Sequence, residues 1–246
     1  MGKSILVTGG TGTLGSALVR RLREDDEDVE VLSRRPGTGR VVGDLRTRQG
    51  LADAVSGADV IVHCATTNSG HDVQATRNLV EFARRSGRPH VVYISIVGIE
   101  RIPLFYYRAK LESERLISES GLPWTILRTT QFHDLVAKFS AVQRRSPVVV
   151  ALSGVRFQPI SVRDVAERLA ELARGDAAGR VADLGGPQVR SHEDLTRAYF
   201  QADGLRRRVL RLRPPGSLFR ELRSGANLVP DRAVGRETFE EFLSGG

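Results

Sequence analysis

Ser4-Ile5-Leu6-Val7-Thr8-Gly9-Gly10-Thr11-Gly12-Thr13-Leu14-Gly15 is the stretch whose reading decides the fold. An aliphatic run ends at Thr8, and a helical pattern opens near Thr13, so a strand, a glycine-rich turn and a helix follow one another. Gly9 permits the tight turn, Gly12 lets the backbone approach a pyrophosphate, and Gly15 allows the helix to pack closely on the strand. The helix N-terminus adds amide donors and a partial positive charge. In this context Thr8, Gly9, Gly10, Thr11, Gly12, Thr13, Leu14 and Gly15 predict a dinucleotide site.

Outward from the loop, β-branched runs alternate with helical patterns, the signature of parallel strands joined by crossover helices. Strands are expected at residues 29–32, 41–43, 59–65, 90–95 and 124–128, and helices at 13–24, 46–56, 73–86 and 106–120. That order predicts an α/β, doubly wound parallel-sheet Rossmann fold over residues 1–130. Residues 131–246 are expected to form a small C-terminal substrate lobe packed on that core as one structural unit. Its elements are a helix at 131–144, strands at 148–152, 157–160 and 181–184, a helix at 162–174 capped by Ser161, and a helix at 193–202. The tail beyond is rich in Pro, Gly and Arg.

The nucleotide is chosen near the end of the second strand, where an acid about 20 residues past the loop would hold a ribose 2′-hydroxyl. Leu32-Ser33-Arg34-Arg35-Pro36 stands there, with no carboxylate. A guanidinium offers forked donors to a 2′-phosphate, so Ser33, Arg34 and Arg35 favour NADP(H) over NAD(H).

With these motifs in place, the sequence resembles the atypical and extended short-chain dehydrogenase/reductase superfamily, and within it the NmrA-like NAD(P)-binding proteins. Gly43-Asp44-Leu45 is similar to the family segment whose aspartate contacts the adenine. Val62-His63-Cys64-Ala65-Thr66 resembles the segment whose backbone runs beside the cofactor, so the resemblance assigns Asp44, Leu45, Cys64, Ala65 and Thr66 to cofactor binding. Residues 90–95, 121–128 and 160–166 resemble the family's fifth and sixth strands and a helix opening in its substrate lobe.

Tyr106-Tyr107-Arg108-Ala109-Lys110 places Tyr106 four residues before Lys110, on one helical face. An ammonium beside a phenol favours the phenolate, which suits Tyr106 to exchanging a proton with a substrate oxygen. The resemblance implies that Lys110 also holds the nicotinamide ribose. The family's reductases carry a serine just beyond the fifth strand to polarise the substrate. Here Ser95 sits at the strand end, only about 11 residues before Tyr106, and Tyr107 competes for the phenol's role. Thr130, Gln131, Phe132 and His133 follow the sixth strand, at the carboxyl end where open α/β sheets bind ligands, and are expected to line the substrate pocket.

Composition narrows the partners. The chain has 246 residues with a net charge of +8, and its 37 basic residues include only three lysines, Lys3, Lys110 and Lys138. The arginines are scattered, and the densest cluster, from Arg206 to Arg213, has no interleaved aromatics for stacking on bases. A solvated face is the expectation there, with no nucleic acid. One cysteine, Cys64, excludes an internal disulfide and is read as a buried structural thiol. No His, Cys and carboxylate cluster has metal-ligand spacing, so no metal is expected. No run approaches the roughly 20 apolar residues of a membrane span. The N-terminus lacks a secretory pattern, which predicts a cytoplasmic protein starting near Met1, a monomer or homodimer.

Three functions follow. The first is an NADPH-dependent oxidoreductase of a small apolar carbonyl or quinone-like substrate. The second is a non-catalytic NADP(H)-binding sensor, and the third, on charge alone, is a nucleic-acid binder.

Overall fold

A computed structural model describes residues 2–67 and 71–245; Met1, the expected start, lies outside the described residues. In chain order the elements are β1 (Ser4–Thr8), α1 (Thr13–Glu24), β2 (Asp28–Ser33), β3 (Arg40–Val42), α2 (Leu51–Val55), β4 (Val60–His63), α3 (His71–Arg85), β5 (His90–Ile96), α4 (Phe105–Ser118) and β6 (Trp124–Thr129). There follow α5 (His133–Ala141), β7 (Val148–Leu152), β8 (Arg156–Phe157), α6 (Val162–Arg174), β9 (Gly179–Arg180), β10 (Arg190–Ser191), α7 (His192–Ala202), β11 (Arg208–Leu212), α8 (Ser217–Arg223) and α9 (Phe239–Leu243).

Backbone contacts gather these elements into two compact units. The first comprises Met1–Ser95, Phe105–Arg128 and Val165–Ala182. Its centre is a seven-stranded sheet in the order β3-β2-β1-β4-β5-β6-β9. The pairings of β1 with β2 and β4, of β2 with β3, of β4 with β5 and of β6 with β9 are parallel. This is the doubly wound Rossmann architecture. Its strand order reverses between β1 and β4, which opens a crevice beyond their carboxyl ends. All four residues of β4 are buried, as a central strand with both faces covered requires. On α1, Leu14, Gly15, Leu18, Val19 and Leu22 form the buried stripe. On α6, Val165, Ala166, Leu169, Ala170 and Leu172 do the same. The Lys3 ammonium donates to the Arg174 and Gly175 carbonyls, where a cation complements the end of α6.

The second unit comprises Ile96–Leu104, Thr129–Asp164 and Asp183–Gly246. Here β8 and β10 pair antiparallel and β7 and β11 pair parallel. Val136, Val155, Phe157, Leu195 and Phe239 form its core. The Ser161 hydroxyl accepts from the Arg163 amide at 3.2 Å, as a helix cap does.

Several boundaries differ from the expectations. The helix expected at 46–56 is only Leu51–Val55, because the backbone before it turns through Asp44 and a left-handed Gly50 (φ 67°). The strand expected at 181–184 is Gly179–Arg180, with Leu184 making a single bridge to Thr129. The arginine cluster falls partly on a strand: Arg208–Leu212 is β11, paired along its length with β7, while Arg206, Arg208, Arg211 and Arg213 are exposed and Arg211 is salt-bridged to Glu193.

Candidate active site

The glycines of the first loop divide by what a side chain would meet. Gly9 has φ 71°, and an added Cβ would lie 2.6 Å from the Ala65 nitrogen, so the turn needs both a left-handed backbone and close approach to the end of β4. At Gly15 an added Cβ would fall 2.2 Å from the Gly9 carbonyl oxygen, which makes it the packing glycine. At Gly12 it would meet only that same oxygen, at 3.3 Å. Gly12 caps α1 without a side-chain hydrogen bond, and the first turn carries no acid, so the amides and positive end of the helix face the loop uncompensated. Thr11, Gly12 and Thr13 are exposed, Gly10 and Leu14 are buried, and Thr8 is fully buried.

Where β2 ends, the Ser33 hydroxyl donates to the Arg35 carbonyl at 2.9 Å and accepts from the Arg35 amide at 3.1 Å. Ser33 thereby folds the turn that carries Arg34 and Arg35. Both arginines are exposed, and among the described residues neither guanidinium has an ion-pair partner. Asp44 is half-buried and accepts the Arg46 amide through Oδ1 at 2.7 Å, while Leu45 packs in the core of the unit.

Beyond β4 the chain meets the start of α3 and α4. Cys64 is half-buried, and burial pushes its thiol up to about 12, which keeps it protonated at neutral pH. Thr66 Oγ1 donates to Asp72 Oδ2 at 2.6 Å and lies 3.4 Å from the Tyr106 hydroxyl. On α4, half-buried Tyr106 and buried Lys110 stand one turn apart, whereas Tyr107 is buried and meets Tyr106 edge-on. The Lys110 ammonium donates to the Ile94 carbonyl at 2.6 Å and sits 4.2 Å above the Tyr93 ring. Burial lowers its pKa, and Tyr106, Cys64, Asp72 and Glu114 act the other way. Ser95 is 1% exposed, and among the described residues its hydroxyl has no hydrogen-bond partner. The register pairs His63 with Tyr93, so two residues further on Ser95 comes level with Ala65. A buried hydroxyl left unpaired at the carboxyl end of a strand is a signal for a ligand contact.

Sequence reasoning missed Asp72 and the network behind the loop. Thr8 Oγ1 meets His63 Nδ1 at 2.7 Å, His63 Nε2 meets Thr76 at 3.0 Å, and Thr76 meets Ser113 at 3.2 Å. Burial, with the charge of Lys110, pushes His63 down to about 3, so this imidazole is neutral. A helix-opening Asp after a Thr-Thr pair was the only signal for Asp72.

In the second unit the four expected pocket residues have other engagements. Thr130 donates to the Gln158 carbonyl at 2.6 Å and accepts from the Gly186 amide at 3.2 Å. Gln131 exchanges amide contacts with Asn227 at 3.3 and 3.4 Å. Phe132 is half-buried and caps α5. His133 is 1% exposed, with Nε2 bonded to the Glu237 carbonyl, Nδ1 unpaired, and its ring stacked on Phe242. Burial lowers its pKa against the opposing Glu237 contact.

A family model described as NAD(P)H-binding matches residues 9–176, from the first loop glycine past the end of α6. The chain belongs to the NAD(P)H-binding family. This agrees with the NmrA-like resemblance read from its motifs. A (4-alkanoyl-5-oxo-2,5-dihydrofuran-3-yl)methyl phosphate reductase of Streptomyces griseus subsp. griseus is 31% identical over 204 residues, 78% of this chain and 71% of that one. An NAD(P)H azoreductase of Xenophilus azovorans is 28% identical over 212 residues, 81% and 74% of the two chains. In structure, an NADPH-dependent quinone oxidoreductase of Escherichia coli complexed with NADPH superposes with a TM-score of 0.86 at 17% identity, covering 98% of this chain and 99% of that one. At that identity the likeness shows the fold.

The chain's own features fit the NAD(P)H that the family binds. The α1 amides face the loop, Gly12 leaves room above it, and the Ser95 hydroxyl is unpaired. Among the described residues no His, Cys, Asp and Glu cluster has a metal-binding arrangement, and no helix is long and apolar enough to cross a membrane.

Proposed function

We propose that this NAD(P)H-binding protein is an NADPH-dependent reductase of a small apolar carbonyl or quinone-like compound. The observation that carries the reading is the pair Tyr106 and Lys110 on one face of α4, with the ammonium anchored on β5. The loop amides and Gly12 hold the pyrophosphate, and Arg34 with Ser33 and Arg35 takes the 2′-phosphate. Asp44, Leu45, Cys64, Ala65 and Thr66 flank the nucleotide through backbone and turn. Bound NADPH supplies the hydride. Tyr106 gives its phenolic proton to the substrate oxygen as negative charge develops there. Lys110, fixed by the Ile94 carbonyl and the Tyr93 ring, provides the positive charge that favours the resulting phenolate and donates to the ribose. Ser95 donates its unpaired hydroxyl to the same substrate oxygen.

The test is oxidation of NADPH, followed at 340 nm, against a panel of ketones and quinones. Tyr106→Phe is expected to bind NADPH as the wild type does and to lose roughly 10²-fold to 10⁴-fold in turnover, the range of general acid catalysis. Lys110→Ala should lower both turnover and NADPH affinity. Tight NADPH binding with no oxidation by any compound would replace this reading with the sensor.

A further inference from the structure

We infer that Asp72 is a positioning residue for Tyr106 that acts through Thr66; the inference rests on the catalytic reading of Tyr106. Asp72 opens α3 and is 5% exposed. Both its carboxylate oxygens are occupied from the segment that leaves β4. Oδ2 accepts from the Thr66 hydroxyl at 2.6 Å, and Oδ1 accepts from the Thr67 amide at 2.7 Å and the Thr67 hydroxyl at 2.6 Å.

A threonine hydroxyl has one proton and two lone pairs. With its proton committed to Asp72, Thr66 Oγ1 turns acceptor capacity toward the Tyr106 hydroxyl, 3.4 Å away. The carboxylate therefore sets the direction of the chain: phenol donates to threonine, threonine to Asp72. Charge-assisted bonds to a buried carboxylate are the stronger partners in this set, so Asp72 holds Thr66 and Thr66 tethers the phenol. At 3.4 Å the tether is long for two hydroxyls, and such contacts tighten when a catalytic complex forms. The tether also supplies what Ser95 lacks, since Ser95 lies in the strand and has no bond to orient its own hydroxyl. Neither Thr66 nor Asp72 reacts; they fix where the Tyr106 proton starts.

The protein carrying ¹³Cζ-labelled tyrosine, without added nucleotide, reports this directly, the Tyr106 signal being the one lost in Tyr106→Phe. Thr66→Val and Asp72→Asn are expected to move that signal, and Thr66→Ser to restore its wild-type position. In turnover with a substrate from the panel, Thr66→Val should cost about tenfold, the size of one lost hydrogen bond. Thr66→Ser should recover most of that loss. In a double-mutant cycle Thr66→Val should add nothing on a Tyr106→Phe background. An unmoved Tyr106 signal in Thr66→Val, or the same tenfold loss in the Tyr106→Phe background, overturns the inference while leaving the catalytic reading intact. Full turnover in Tyr106→Phe overturns the catalytic reading instead, and the labelled signal still decides whether Asp72 orders the phenol. Asp72→Asn alone is not decisive because it also loosens Thr67; Thr66→Val leaves both Thr67 bonds in place.

Discussion

An added Cβ separates the two duties of glycine in the phosphate loop. Gly9→Ala places a side chain on a left-handed backbone and against the Ala65 nitrogen, so it should destabilise the fold by about 2 kcal/mol or more. Gly12→Val meets only the Gly9 oxygen and adopts an extended backbone (φ −83°, ψ 175°) that valine tolerates. It should melt near the wild type and lose nucleotide binding, with thermal unfolding and calorimetry as the two measurements. Normal binding by folded Gly12→Val would mean that the pyrophosphate lies elsewhere. At Arg34 the guanidinium has no ion-pair partner among the described residues, so Arg34→Ala should leave NADH affinity alone and weaken NADPH by about tenfold to 150-fold, the worth of charge-assisted hydrogen bonds. Gly9 was legible in the sequence because backbone chemistry dictates it: its left-handed backbone and its approach to Ala65 leave room for no side chain. Asp72 was not, because its bonds to Thr66 and Thr67 form only when β4 ends beside α3. Thr130 and Gln131 were read by position alone, and position does not reveal that the Gln158 carbonyl and Asn227 claim their polar groups.

Among the elements, α4 carries Tyr106 and Lys110, and what seats it is a buried ion pair. Glu114 on α4 receives Arg128 of β6 in a two-pronged contact, Nε to Oε1 at 2.8 Å and Nη2 to Oε2 at 2.6 Å, with both side chains nearly out of water. Removing Glu114 breaks this buried two-pronged pair, so Glu114→Leu should cost about 3 to 5 kcal/mol. Replacing both, Glu114→Leu with Arg128→Met, should recover most of that, since an apolar pair of similar volume avoids the desolvation penalty. Urea unfolding gives both numbers; equal losses in the single and double variants would mean that α4 is held by shape rather than by charge. Periodicity found α1 and α6 because each has a one-sided apolar stripe. It failed where side chains or edges decide. The Asx turn at Asp44 delays α2, and β11 hides among arginines because only its pairing with β7 makes Arg208–Leu212 a strand.

Across the molecule, four imidazoles, His63, His90, His133 and His192, are held toward the neutral form. His63 in the first unit is held down to about 3 by burial and Lys110, and His192 in the second down to about 4 by burial. His90 and His133 are lowered as well, chiefly by burial. The unfolded chain takes up a proton at each imidazole near the ordinary value of about 6.5. Between that value and the lowered ones the unfolded state binds more protons, so stability is full above pH 6.5 and falls as the pH drops through the window. From about pH 5.5 to 4.5, above most carboxylate titration, His63 and His192 should each contribute a slope of about 1.4 kcal/mol per pH unit, and His90 and His133 add to it. Unfolding free energies at several pH values measure it. His192→Asn, whose Oδ1 can replace Nδ1 as acceptor for the Leu152 amide, should remove the His192 share and leave that of His63. Where the two units melt separately, the loss belongs to the transition of the second unit alone. A flat profile across this window would mean that the imidazoles reach water in the folded state. The neutral His63 that links Thr8 to Thr76 beneath the phosphate loop would then be the wrong description of the site's foundation.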